Sequence, residues 1–104
     1  MEVSKNDWKL FRARIGDWQE AYMERLVQEY IELLSGAERA SEKFWKLEER
    51  IKKDKKHPGV LIELSKGNMI YDIAMLIKSG VVTTSDLDGF SDELKESVDF
   101  LLHR

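Results

Sequence analysis

The sequence predicts an all-α fold: a compact bundle of about four helices, with a long first helix and a short helical turn before the last. Apolar residues recur at spacings of three, four and seven along most of the 104 residues, as they do on one face of a helix. A single proline and six glycines leave few positions for the turns of a β-sheet protein. We expect residues 1–104 to form a single helical domain, because this length suits one hydrophobic core.

The first helix is predicted to begin near Ser4 or Asn6, either of which can cap it, and to stop at Gly36. Gly16 lies inside this helix, where we expect either a bend or the close approach of another helix. The apolar stripe widens toward the C-terminal end. It comprises Trp8, Phe11, Ile15, Trp18, Tyr22, Leu26 and Leu33, joined in the later turns by Met23, Val27, Tyr30 and Leu34.

The second helix is predicted to begin after a cap at Ser41 and to end by His57. It ends there because the residue before a proline disfavours α-helical geometry. Phe44, Leu47 and Ile51 follow one of its faces. We therefore expect a helix with one apolar face within an antiparallel bundle.

Pro58 fits the first position of a third helix, which the apolar residues from Val60 to Ile77 predict to be the central one. Gly67 and Asn68 are expected either to kink this helix or to split it in two, and Gly80 is expected to end it.

The remainder of the chain predicts a short turn and then a final helix. Thr84 can cap a single helical turn that runs through Leu87. Ser91 can then cap the last helix, whose inner face is formed by Leu94, Val98, Leu101 and Leu102.

Composition and motifs argue against enzymatic, metal and cofactor sites. The chain has no cysteine, so disulfides and thiolate ligands are excluded. His57 and His103 lie far apart, and neither is followed four residues later by a second His, Asp or Glu. HExxH, GxSxG, GxGxxG, P-loop and EF-hand patterns do not occur. We therefore expect a non-enzymatic protein without a cofactor or metal.

The sequence also predicts a cytoplasmic protein without membrane association. The first residues, MEVSKNDWKLF, lack the apolar segment of a signal peptide. The apolar runs are only a few residues long, which is too short to cross a bilayer.

The stretch ERIKKDKKHPGV, residues 49–60, holds the strongest local concentration of positive charge. Residues 41–80 carry nine bases against six acids, although the whole chain has a net charge of -3. Cations at the end of a helix complement its dipole, which is the structural interpretation. The same side chains could contact a partner: Arg50, Lys52, Lys53, Lys55 and Lys56.

Nucleic-acid binding through these cations is the alternative. Phosphate contacts would give a steeply salt-dependent affinity. The interspersed acids and a pI of about 5.4 argue against a dedicated nucleic-acid-binding domain. The last helix is acidic as well, so it would be repelled by DNA: Asp92, Glu93, Glu96 and Asp99 oppose Lys95.

The three tryptophans are either core residues or anchors for a partner. Trp8, Trp18 and Trp45 lie at helical spacings, which favours burial for each. A small bundle can leave some of them exposed, and Trp is enriched in the energetic centres of protein interfaces. A strip from Trp8 to Tyr22 would also suit a homodimer.

Three blocks carry a resemblance: DWQEAYMERLVQEYIELL, SEKFWKLEERIKKDKKHPGV and GVVTTSDLDGFSDELKESVDFLL. Together they resemble small α-helical proteins of Gram-positive phages and mobile elements. Proteins of this size, charge and origin include type II anti-CRISPR proteins, which bind Cas9 and block DNA loading or cleavage. The resemblance implies a protein-binding function with Cas9 or another host protein as the partner. It transfers no individual binding residues to this chain.

Overall fold

The computed structural model describes residues 3–104, and within them it contains helices and turns but no strand. The α-helices are α1 (Lys5–Leu34), α2 (Ala40–Asp54), α3 (Met69–Lys78) and α4 (Asp92–Leu102), with short 3-10 turns at Lys66–Asn68 and Thr84–Leu87. The prediction of an all-α bundle of about four helices, with a long first helix and a short helical turn before the last, is confirmed. The molecule measures 52 × 27 × 22 Å, and its length follows the 30 residues of α1.

Helix α1 begins where a serine cap was predicted. The Ser4 side chain accepts a hydrogen bond from the Asp7 backbone N–H over 3.1 Å. The helix ends at Leu34, two residues before the predicted glycine stop. A Cβ added to Gly16 would meet no atom within 4 Å, so no other helix approaches α1 there.

The hydrophobic core lies against the N-terminal half of α1. Phe11 and Ile15 of α1 meet α3, α4 and the short segment between them. Helices α3 and α4 pack closely on each other. Burying these side chains is the main favourable term for this part of the fold. The buried cluster comprises Phe11, Ile15, Met69, Ile73, Ala74, Leu76, Val82, Leu87, Phe90, Leu94 and Val98.

A buried carboxylate ties α4 to the start of α1. Ser91 donates hydrogen bonds to Asp7 from its backbone N–H over 2.9 Å and from its hydroxyl over 2.6 Å. The Ser91 hydroxyl also accepts from the Leu94 N–H, which confirms the predicted cap of α4. One serine therefore begins a helix and fixes it to α1.

The turn before α4 begins one residue earlier than the sequence predicted. Thr83 is its cap, because Thr83 and Asp86 each accept a hydrogen bond from the other's backbone N–H in a capping box. Gly89 follows with a φ of +93°, a backbone conformation that favours glycine.

Helix α2 runs antiparallel to α1 and packs on its C-terminal half. The prediction that Ser41 caps this helix is wrong. Arg39 holds the extended cap conformation and its carbonyl already accepts from the Lys43 N–H, so Ser41 lies inside the first turn.

The prediction of a third helix from Pro58 is also wrong, because α3 starts only at Met69. Residues 55–65 turn and then extend across α1 toward the core. Beyond the turn Ile62 packs on the core, whereas Leu61, Glu63 and Leu64 are exposed. The apolar residues before Gly67 therefore belong to a crossing segment, defined as residues 55–65.

Contacts with α1 hold the crossing segment in place. The Gln19 side-chain amide donates to the Pro58 carbonyl over 3.0 Å. The rings of Tyr22 and His57 stack with their centroids 4.4 Å apart, and Gly59 lies directly against the Tyr22 ring. These contacts favour the turn over a continued helix.

Candidate functional site

Helix α2 is amphipathic, but none of its 15 residues is buried. Phe44, Leu47 and Ile51 recur at the spacing of one helical face. The side chain of Phe44 is 62% exposed and that of Ile51 is 37% exposed. The rest of the described chain therefore leaves much of this apolar stripe uncovered.

A second uncovered row lies on the C-terminal half of α1. Its members follow one another at intervals of four, four and three residues, so they share one side of the helix. Each is between 39% and 49% exposed: Met23, Val27, Ile31 and Leu34.

The two rows lie on the same side of the helix pair. Contacts between Arg50 and Glu29 and between Tyr30 and Asp54 mark where α1 and α2 face each other. Viewed along each helix from its N-terminus to its C-terminus, the apolar row is rotated by about a quarter turn from the side that faces the other helix. The sense of this rotation is the same as that of the chain. Because the two helices are antiparallel, these rotations turn both rows to one side. We call residues 20–54 the hairpin, and its side with these two rows the apolar face.

Each helix carries a shallow groove that includes part of its apolar row. The α1 groove, of about 550 Å³, is lined by Glu20, Ala21, Met23, Glu24, Arg25, Val27 and Gln28. The α2 groove, of about 330 Å³, is lined by Phe44, Leu47, Glu48, Ile51, Lys52 and Lys55. Both grooves have an apolar floor and charged edges, which is the composition of a protein-binding surface.

Of the three tryptophans, only Trp45 is exposed. Its side chain is 64% exposed on the edge of α2 that faces away from α1, with its ring edge-on to Phe44 at 5.0 Å between centroids. Trp8 and Trp18 are half-buried against the core, where both rings lie 6.2 Å from that of Phe11. The structure thus places Trp45 on the same helix as Arg50 and Lys52, and the other two tryptophans on the N-terminal half of α1.

The five cations of the basic stretch differ in their contacts. Arg50 donates to Glu29 over 3.0 Å, lies 3.6 Å from Asp54 and covers the Tyr30 ring. The hydrogen bond to Glu29 raises the pKa of Arg50. Arg50 therefore joins the two helices. Lys52 pairs with Glu48 at 3.6 Å, one helical turn away.

The remaining three lysines, Lys53, Lys55 and Lys56, form no ion pair with the described residues 3–104. They belong to the end of α2 and the start of the crossing segment. Their position suits both interpretations of the basic stretch, since cations favour the C-terminal end of a helix and exposed ammonium groups can contact a partner.

Both histidines have local structural contacts. His57 accepts from the Gly59 N–H through Nδ1 over 3.0 Å and stacks on Tyr22, while His103 contacts Asp99. Among residues 3–104 no three His, Cys, Asp or Glu side chains gather closely enough to hold a metal ion. No helix in this described part is long and apolar enough to cross a membrane.

A further groove of about 730 Å³ lies at the opposite end of the molecule, where α3 and α4 meet the start of α1. Tyr71 and Phe100 line it and are exposed. Nearby in sequence, burial raises the pKa of Asp72, whose Oδ2 has no hydrogen-bond partner in the described part of the chain.

Sequence reasoning named Trp45 and the cations but missed the apolar face. Met23, Val27 and Leu34 belong to the apolar stripe predicted for the first helix, but their exposure was not predicted, and Ile31 was not included in that stripe. The widening of the α1 stripe was the available signal, because a helix that packs on one neighbour needs a narrower apolar face.

Comparisons of the chain with protein-family models, with curated proteins and with solved structures find no match.

Proposed function

We propose that this protein is a non-enzymatic protein-binding module whose hairpin is the binding element. The observation that carries the proposal is that α2 has an amphipathic sequence without one buried side chain. Apolar surface left in water costs about 25 cal/mol for each Å² that a partner could cover. A protein partner is therefore expected to cover the hairpin.

Trp45 is the proposed anchor for a heterologous partner. It is a large, exposed aromatic side chain on the outer edge of α2, and Lys52 lies further along the same edge by helical spacing. Tryptophans flanked by polar groups form the energetic centres of many protein interfaces. We expect a partner surface that combines an apolar pocket with acidic groups.

Cas9 is the first heterologous partner to test. The support for it is the resemblance to small proteins of Gram-positive phages and mobile elements. A net charge of -3 and a basic middle segment favour a mixed-charge protein interface over imitation of duplex phosphates. In this proposal the protein would block DNA loading or cleavage by occupying a Cas9 surface.

A nucleic-acid-associated function is the second candidate. The observation in its favour is that Lys53, Lys55 and Lys56 have no ion-pair partner among residues 3–104. Phosphates bound by these lysines would be released steeply as the salt concentration rises.

The test is retention of Cas9 with guide RNA on the immobilised protein, with and without nuclease treatment. We expect Cas9 to be retained after nuclease treatment. In Trp45→Ala the affinity should fall at least about 30-fold, which is the effect of truncating a hot-spot residue of an interface. Tyr71→Ala, an exposed aromatic residue on α3, is the matched control and should bind like the wild type.

Two outcomes would contradict the proposal. Retention that disappears with nuclease, and that falls in Lys53→Glu and Lys56→Glu but not in Trp45→Ala, would favour nucleic-acid binding. Equal loss in Tyr71→Ala would show that the binding surface is not the hairpin.

A further inference from the structure

We infer that the partner covering the apolar face is a second copy of this chain, so that two hairpins form a four-helix bundle. The inference rests on the proposed function, because it names the occupant of the same binding element. Its basis is the charge of the two grooves, which are complementary to each other.

The α1 groove has unpaired acidic groups on its edge. Glu20 and Glu24 line it, and neither forms an ion pair with the described residues 3–104. Arg25 also lines this groove, but its guanidinium is directed to the Gly80 carbonyl at 2.6 Å and covers the Tyr22 ring. The groove therefore offers negative charge beside the apolar side chains of Met23 and Val27.

The α2 groove offers the opposite charge. Lys52 and Lys55 line it together with Glu48. Glu48 pairs with Lys52, which leaves Lys55 as the cation without an ion-pair partner in the described part of the chain. A chain with one acidic and one basic apolar groove is complementary to a second copy of itself.

The contacts within the hairpin set the register of this pairing. Glu29 lies level with Arg50, and Tyr22 lies level with His57. Glu24 is therefore level with the end of α2, near Lys55. A two-fold axis parallel to the helices would place α1 of one copy beside α2 of the other at the same level. Glu24 of each copy would then face Lys55 of the other.

A two-fold axis perpendicular to the helices would give a different pairing. It would place α1 on α1, so that acidic grooves would face each other, which is unfavourable. The parallel axis also makes every pair of neighbouring helices antiparallel, as in an up-and-down four-helix bundle. Trp45 stays on the outer edge in this arrangement, so its side chain remains accessible to a heterologous partner.

The first experiment is sedimentation equilibrium of the full chain over a range of concentrations. We expect a monomer–dimer equilibrium in the wild type and a monomer in Val27→Glu. Val27 is 49% exposed, so a carboxylate there remains solvated in the monomer and folding is preserved. Leu61→Glu is the control: Leu61 is still more exposed but lies outside the apolar face, and this variant should dimerise like the wild type.

Charge reversal tests the register. Glu24→Lys and Lys55→Glu should each weaken the dimer about tenfold, because each change introduces two like-charge contacts across the two-fold axis. The double variant should recover most of the wild-type affinity. If the losses of dimer affinity in Glu24→Lys and Lys55→Glu instead add up in the double variant, the proposed register is wrong. If the wild-type chain is monomeric at every concentration, the dimer itself is refuted.

The failure of this inference can be told apart from failure of the proposed function. A monomeric wild type that binds a heterologous protein, and loses it in Val27→Glu, would leave the binding module intact and refute the second copy as the occupant. Dimerisation that is unchanged in Val27→Glu would place the interface elsewhere and refute the inference as well.

Discussion

The two halves of α1 have the same kind of sequence but opposite surroundings. In the N-terminal half, Phe11 is completely buried beneath α3 and α4. In the C-terminal half, the row containing Val27 and Ile31 is half exposed, and α2 packs on the adjacent side. Apolar periodicity therefore shows that a helix has a face to bury, but it does not show whether the same chain buries it.

Replacing one phenylalanine in each region should give the strongest contrast in stability. Phe11→Ala should lower the free energy of unfolding by about 3–5 kcal/mol, because it leaves a cavity in the core. Phe44→Ala should change the stability of the monomer by no more than about 0.5 kcal/mol, because this ring is already largely in solvent. Urea denaturation at low protein concentration measures both.

The stability of Phe44→Ala relative to the wild type should depend on protein concentration. At high protein concentration the dimer inferred above would be lost in Phe44→Ala, so its stability should then fall relative to the wild type. Similar costs for the two phenylalanines in dilute solution would mean that the hairpin is covered within the monomer, which would contradict the 62% exposure of Phe44.

The core region could be predicted from sequence because its signals are local. Ser4 and Ser91 begin helices where cap residues were expected, and the periodic residues of α3 and α4 fill the core. The tie between Asp7 and Ser91 could not be predicted, since it joins residues 84 positions apart. A helix cap can be recognised from the residues next to it in the sequence, whereas the contact between Asp7 and Ser91 forms only when α1 and α4 are packed together.

The region from Pro58 to Gly67 could not be predicted for a different reason. Apolar residues at mixed spacings suit both a helix and an extended chain with alternate side chains buried. Contacts with α1, which is distant in sequence, favour the turn over a helix. In these contacts Gln19 hydrogen-bonds to Pro58, and Tyr22 packs on His57 and Gly59. The candidate site was found only in part, because Trp45 is recognisable by residue type whereas the exposure of Met23 or Ile31 is not.

Alanine substitutions at two glycines test whether the crossing segment packs on α1, and they should change stability by an intermediate amount. Gly59→Ala should destabilise the protein by about 1–3 kcal/mol, because the new Cβ would lie under 3.0 Å from three atoms of the Tyr22 ring. That ring is stacked on His57 and covered by Arg25, so it has little freedom to move.

Gly16→Ala is the matched substitution on α1 and should act in the opposite direction. A Cβ there meets nothing within 4 Å, and alanine restricts the unfolded chain more than glycine does, so we expect a gain of about 0.5–1 kcal/mol. Thermal unfolding of both variants checks the pair. A neutral Gly59→Ala would show that the crossing segment is not held against α1.

A further modest effect concerns the polar contact between Tyr30 of α1 and Asp54 of α2. Burial, then the hydrogen bond that Tyr30 donates to Asp54, raise the pKa of Tyr30 from its ordinary value of 10.0 to about 12. Because the folded pKa lies above the unfolded one, the unfolded chain loses this proton first. Stability from this group is therefore intact below pH 10 and falls as the pH rises toward 12.

Substitution of Tyr30 and Asp54 separates the two causes. Tyr30→Phe should cost about 1 kcal/mol at neutral pH through the lost hydrogen bond, and should remove the most alkaline step from a titration followed by phenolate absorbance. Asp54→Asn should move that step to lower pH without abolishing it, because burial still disfavours the phenolate. Tyr71→Phe, on the core region, should leave the step in place. If the step survives in Tyr30→Phe, the contact between α1 and α2 at this point is wrong, and with it the rotation that turns both apolar rows to one side.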